Sequence, residues 1–168
     1  MSSVEKFVAW GQYVHWADLQ FTRHHASVGA ANNADAIGLA AHWLAAEYIV
    51  LEGWRELKYR DPIIEALLDR YPEHEAMLRR CRNAVYHFQP ALLDKRITSC
   101  LEDKNEELRW VVALHFEFQR YFLRFPYTYQ GAWEERYELA QAIRGCVGWH
   151  PKDTPTGQLI ALNRKLLP

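Results

Sequence analysis

The sequence has few cysteines, three in 168 residues, and Cys81, Cys100 and Cys146 are odd in number, far apart and without paired spacing. That pattern argues against a disulfide framework or a structural zinc site and fits a reducing compartment. Excess charge of either sign is also missing, since 20 basic and 21 acidic residues leave a net charge of -1. A broad electrostatic footprint for nucleic acid is therefore not visible, and only local basic patches remain. The densest is Arg79, Arg80 and Arg82; Arg23, His24 and His25 form another. The N-terminal MSSVEKFVAW is interrupted by a charge pair with no apolar run after it, so it does not read as a signal peptide. No stretch reads as long and apolar enough to span a bilayer. No membrane partner is expected, and the cytoplasm is the expected location.

Motifs of several common chemistries are absent as well. There is no HExxH helix, no Glu-x-x-His pair, no glycine-rich phosphate loop and no Gly-x-Ser-x-Gly elbow. The eight histidines are scattered. His15, His42 and His115 are the set that a bundle could bring around a metal, but their spacing gives that no support. Neither metal nor cofactor is expected.

What the chain does have is apolar and aromatic surface. At 49% hydrophobic it is not a disordered or low-complexity protein. Seven Trp and nine Tyr give more ring area than one small core needs, so part of it is expected at an interface. Hydrophobic spacing predicts helices throughout. The first runs from about Ser3 to Val28. A loop follows over Gly29 to Asn33, and Asp35 is the expected cap of a second helix reaching about Tyr59. Asp61-Pro62 opens a short third helix. After Tyr71-Pro72 comes a fourth, ended by Pro90. A short helix near Leu92 to Leu101 precedes a strong one from about Glu106, which Phe125-Pro126-Tyr127 should end. Another covers about Ala132 to Ile143. The fold class is all-α: an antiparallel helical bundle over 1–168, with 145–168 a loop-rich tail.

The segment that could carry chemistry is Arg82-Asn83-Ala84-Val85-Tyr86-His87. Here the sequence resembles the HEPN superfamily of helical bundles. Its signature is an arginine, four to six residues, then a histidine, often with asparagine after the arginine. Arg80 to His87, Arg109 to His115 and Arg144 to His150 also fit the bare spacing. Only Arg82 is followed by asparagine and sits late in a helix before a proline break. Gln89 stands where a subgroup of the family carries a modified tyrosine, so that form of regulation is not expected.

The resemblance implies a metal-independent endoribonuclease of the toxin or phage-defence type. It implies a homodimer whose two motifs share one cleft, with RNA as substrate and an antitoxin or other protein as partner. Arg82 and His87 would do the chemistry and Asn83 would assist. Geometry is consistent with such pooling. Asn83 and His87 share a helix face, whereas Arg82 and His87 lie about 140° apart on an ideal helix. Either the helix loosens near Pro90 or two copies combine. RNA supplies its own 2′-hydroxyl nucleophile. A histidine can move that proton near neutral pH, and an arginine can hold the phosphate charge in a fork.

The plainer reading is that Arg82 and His87 complement a helix C-terminus and that Asn83 bonds His87 on a solvated surface. Glu52 is a candidate partner for Arg82; for both Glu47 and Glu52 the plainer reading is an exposed charge or a structural ion pair. Trp43, Tyr48 and Trp54 read as core or interface, and the cysteines as small buried apolar groups. Two rival functions remain: a non-catalytic module binding nucleotide, RNA or protein, and a small-molecule-binding bundle that uses the aromatic surplus.

Overall fold

A computed structural model describes residues 3–28, 33–90, 95–98, 105–128, 130, 132, 136–137 and 139–143. Their regular structure is helical: α1 Ser3–Ser27, α2 Asn33–Leu57, α3 Pro62–Arg70, α4 Pro72–Tyr86, α5 Lys95–Thr98 and α6 Asn105–Thr128. Residues 139–143 are helical too. The tail expected over 145–168 lies outside the described residues.

Side-chain contacts give the helix directions. Trp10 meets Val50 and His24 meets Trp43, so α1 and α2 run antiparallel. Phe7 stacks on Phe125 while Phe21 meets His115, so α1 and α6 are antiparallel. Arg55 reaches Glu75 and His42 reaches Tyr86, which makes α2 and α4 antiparallel. The sequence expectation of an antiparallel all-α bundle therefore holds.

Aromatic side chains fill the core. Trp10, Trp43, Tyr48, Trp54, Phe118 and Phe122 are all buried, so the three rings singled out in α2 belong to the interior. Large rings leave little room for the backbones that cross them. A Cβ on Gly11 would sit 1.9 Å from Phe122 Cε2. Glycine at that position is what lets α1 approach α6.

Local chemistry explains the helix ends. Asp61 caps α3: its Oδ1 accepts from the Ile63 N–H at 3.0 Å and the Ile64 N–H at 3.3 Å. The same carboxylate accepts from Arg120 Nη2 at 2.6 Å, which ties the cap to α6. At the end of α2, Lys58 adopts a left-handed φ of 56°. Its N–H donates to Arg55 O and the Tyr59 N–H donates to Trp54 O, while the Tyr59 ring packs on Trp54. This is a Schellman stop with lysine in the place usually held by glycine.

Several expectations are corrected. α2 begins at Asn33, so Asp35 lies in its first turn rather than at its cap. α4 stops at Tyr86, one turn before Pro90. Proline has no N–H to offer the Tyr86 carbonyl, so the ladder closes with the His87 N–H on Asn83 O. α6 continues through Pro126 to Thr128. A proline in a last turn removes only one hydrogen bond, and the Thr128 hydroxyl lies 3.4 Å from Arg124 O and 3.2 Å from Phe125 O.

The reading that no stretch could span a bilayer is also corrected, because Ala34–Leu57 passes by length and composition. Its burial is that of a core helix, with Leu44, Glu47, Leu51 and Trp54 all enclosed by protein. Cys81 is buried as expected, but it is disulfide-bonded, which the scattered cysteines did not indicate. Its bonding partner lies outside the described residues. Its 3.6 Å contact with Met77 Sδ is therefore a packing contact.

Candidate functional site

The end of α4 lies against the middle of α2. Arg82 is directed there by three contacts. Its Nη2 reaches Glu52 Oε1 at 3.3 Å, its Nη1 donates to Asn83 Oδ1 at 3.0 Å, and its guanidinium carbon lies 5.2 Å from the Tyr48 ring centroid. The Tyr48 face adds a cation–π attraction to the ion pair. Arg82 Nε is enclosed without a hydrogen-bond partner. Glu52 thus faces Arg82, one of the two arrangements its sequence position offered, and Tyr48 is a contact that helical spacing alone did not single out.

His87 stands apart from this group. It is the C-cap, with extended backbone at φ -115° and ψ 132°. The expected helix-face neighbourhood of Asn83 and His87 is therefore lost, because His87 has left the helix. Asn83 Oδ1 serves Arg82 instead, and the link to His87 runs through the backbone alone. Gln89 Nε2 donates to His87 O at 2.7 Å and holds the extended turn. The His87 side chain is exposed between two exposed aromatics, Tyr86 at 59% and Phe88 at 92%. Of the two remedies for the angular mismatch, the loosened helix is present within one chain.

The rival spacings fare differently. Arg109 is exposed on α6, whereas His115 is 1% exposed and committed to the core. Arg144 and His150 lie outside the described residues. His15, His42 and His115 have different surroundings. His42 packs on Tyr86, and burial shifts His15 downward against the opposing pull of the Asp18 carboxylate. Among the described residues no group of three His, Cys, Asp or Glu side chains is arranged to hold a metal ion.

His115 instead organises a buried polar chain across three helices. Its Nδ1 lies 2.5 Å from Glu47 Oε1, which also accepts from Trp43 Nε1 at 3.0 Å. Its Nε2 lies 3.4 Å from Asp18 Oδ1. Burial disfavours the imidazolium, but the Glu47 and Asp18 carboxylates outweigh it and push His115 up to about 9. Gln119 Nε2 sits 2.7 Å from His115 Nε2 and 2.6 Å from Asp18 Oδ1. Donation to Asp18 keeps the amide nitrogen on that side, so the first contact suits a neutral ring, and an imidazolium would instead donate its Nε2 proton toward Asp18 Oδ1. Sequence reading singled out Glu47 and His115 but missed Asp18 and Gln119. Their one signal is that polar residues at 18, 47, 115 and 119 interrupt otherwise apolar helix faces.

A groove of about 400 Å³ lies beside the Arg82 contact, between α1 and α2. Ala9, Trp10, Ile49, Gly53 and Leu57 give it apolar walls, and Lys6, Tyr13, Glu52 and Glu56 supply its polar groups. Glu52 therefore belongs both to the groove and to the Arg82 ion pair. No protein-family model, curated protein or solved structure matches the chain.

Proposed function

We propose that this chain is a HEPN-like bundle that cleaves RNA without a metal, with His87 moving protons, Arg82 stabilising phosphate charge and Asn83 setting the Arg82 fork. The observation that carries the reading is the break of α4 at Tyr86. It puts His87 on exposed, extended backbone, within reach of a substrate, one turn beyond a tethered arginine. Asn83 Oδ1 accepts from Nη1 and so fixes the plane of the guanidinium. The exposed Tyr86 and Phe88 rings supply apolar surface for a second copy of the chain, which would bring two motifs into one cleft. A cytoplasmic homodimer of the toxin or phage-defence type, held by an antitoxin or other protein, is the setting the resemblance implies. A disulfide at Cys81 would not be kept in that reducing compartment.

One observation favours a second reading. The Arg82 fork is already occupied by Glu52 and Asn83, and the net charge is -1. A bundle with that balance suits a non-catalytic module that binds RNA, nucleotide or protein.

The test is incubation of the purified protein with a broad RNA panel and matched DNA in excess chelator, with light scattering on the same sample. Cleavage of RNA alone by a dimer is the expected result. An intact RNA panel with a well-folded dimer would transfer the assignment to the binding module. A monomer near 19.8 kDa that still cleaves would remove the shared cleft.

A further inference from the structure

The α1–α2 groove combines features of a small-molecule site. Its volume of about 400 Å³ lies within the range of ligand pockets. Trp10 is fixed beneath it by donation from Nε1 to Val50 O at 3.0 Å, so that wall is preformed. The space exists because residue 53 is glycine: a Cβ there would lie 2.8 Å from Trp10 Cδ1.

The polar side of the groove is not balanced. Glu52 and Glu56 are i,i+4 neighbours on α2, and like charges at that spacing repel. Neither Glu56 nor Lys6 makes an ion pair among the described residues, and Lys6 comes from α1, the opposite wall. Among the described residues Glu52 is held by its 3.3 Å contact with Arg82 alone, and its side chain is 47% exposed. Such a pair is weak and exchangeable, because solvent screens it. A cation placed between the two carboxylates would relieve their repulsion and could replace Arg82 at Glu52. Apolar walls and the exposed Tyr13 ring, which lines the same groove, suit a flat apolar body and a cation–π contact.

We propose that this groove is a binding site for a small aromatic amine in its ammonium form, which bridges Glu52 and Glu56 and takes Glu52 from Arg82. The regulatory consequence rests on the ribonuclease reading: an occupied groove frees the Arg82 fork for phosphate. The binding site itself does not depend on that reading.

The experiment is calorimetric titration of the full chain, without RNA, with 2-phenylethylammonium, the neutral 2-phenylethanol and the anionic 3-phenylpropionate. The ammonium should bind with a Kd below about 1 mM. The alcohol should bind at least about tenfold more weakly, since it lacks the charge-assisted contact. Glu52→Gln and Glu56→Gln should each weaken ammonium binding, and Gly53→Ala should block it by pushing Trp10 into the space. Arg82→Ala should tighten it about two- to fivefold by removing the competing cation. Equal binding of alcohol and ammonium, or no binding of either, would overturn the site. If Gly53→Ala fails to fold, the two glutamate variants decide. Unchanged affinity in Arg82→Ala would overturn the exchange with Arg82. Ammonium binding by a protein that cuts no RNA would leave the site standing while the ribonuclease reading fell.

Discussion

Glu52 and Arg82 are 30 residues apart in the chain and meet at 3.3 Å across the α2–α4 contact. A carboxylate on the arginine proposed to hold phosphate is a competitor. Glu52→Gln removes the charge but keeps the shape. RNA binding by this variant, measured by fluorescence anisotropy over a salt series, should be tighter and should depend more steeply on salt. A single-strand phosphate contact adds about 0.7 to the slope of log affinity against log salt. Stability should change by less than about 1 kcal/mol, as expected for a solvent-screened pair. Weaker RNA binding would show that Glu52 positions Arg82 rather than occupying it.

The buried His115 gives the fold a pH dependence of definite sign. Its imidazole is raised to about 9 in the folded chain, against about 6.5 when unfolded. The stabilisation is complete below pH 6.5 and is lost as pH rises through about 9, a change of about 3 kcal/mol if the full shift is realised. Thermal melts between those limits should show the midpoint falling. His15 and His24 are shifted down, chiefly by burial, so they act below that window. Tyr59 is pushed up to about 12 by burial, so it acts above it. Glu47→Gln should flatten the curve. A flat curve in the unmodified chain would mean a neutral ring accepting from Gln119.

Two helix glycines should respond in opposite directions to alanine. Gly38 has open space where a Cβ would go, so Gly38→Ala gains helix propensity and should stabilise by up to about 1 kcal/mol. At Gly11 the same change drives a methyl into the Phe122 ring. Overpacking there should cost about 1–3 kcal/mol, more than the propensity gain. Urea unfolding of the two variants checks the ordering, and a stabilised Gly11→Ala would contradict the close α1–α6 crossing.

Lys58 holds the left-handed position at the end of α2 with φ 56°. Lys58→Gly relieves a backbone cost of about 1–2 kcal/mol and pays part of it back as unfolded-state entropy. Net stabilisation of about 0.5–1 kcal/mol in urea unfolding is the expected result. A destabilised variant would argue against the Schellman stop.

How much of this was legible in the sequence depends on how local the cause is. The starts of α1, α3 and α4 and the core role of Trp43, Tyr48 and Trp54 follow from caps, prolines and spacing within a few residues. Helix ends near proline are not fixed by the proline itself. At Pro90 the ladder ends a turn earlier for want of an N–H, whereas at Pro126 the helix absorbs the loss. Long-range pairings were least legible. That Glu52 meets Arg82 is one of two arrangements its helix position allows. That Asp18 and Gln119 meet His115 is invisible without helix directions, which only packing decides. At the candidate site the residue types were legible, but the departure of His87 from the helix was only one of two options.

The central claim is that His87 and Arg82 cleave RNA without a metal, and mapping the product ends in chelator tests it most directly. Unmodified protein should leave a cyclic 2′,3′-phosphate and a free 5′-hydroxyl, because the nucleophile is the substrate's own 2′-hydroxyl. His87→Ala should abolish cleavage with helical content unchanged. Arg82→Lys should lose roughly 100- to 1000-fold in rate, since lysine cannot offer the planar fork. Arg109→Ala should cut normally. Cleavage that persists in His87→Ala, or that requires magnesium, would contradict the mechanism.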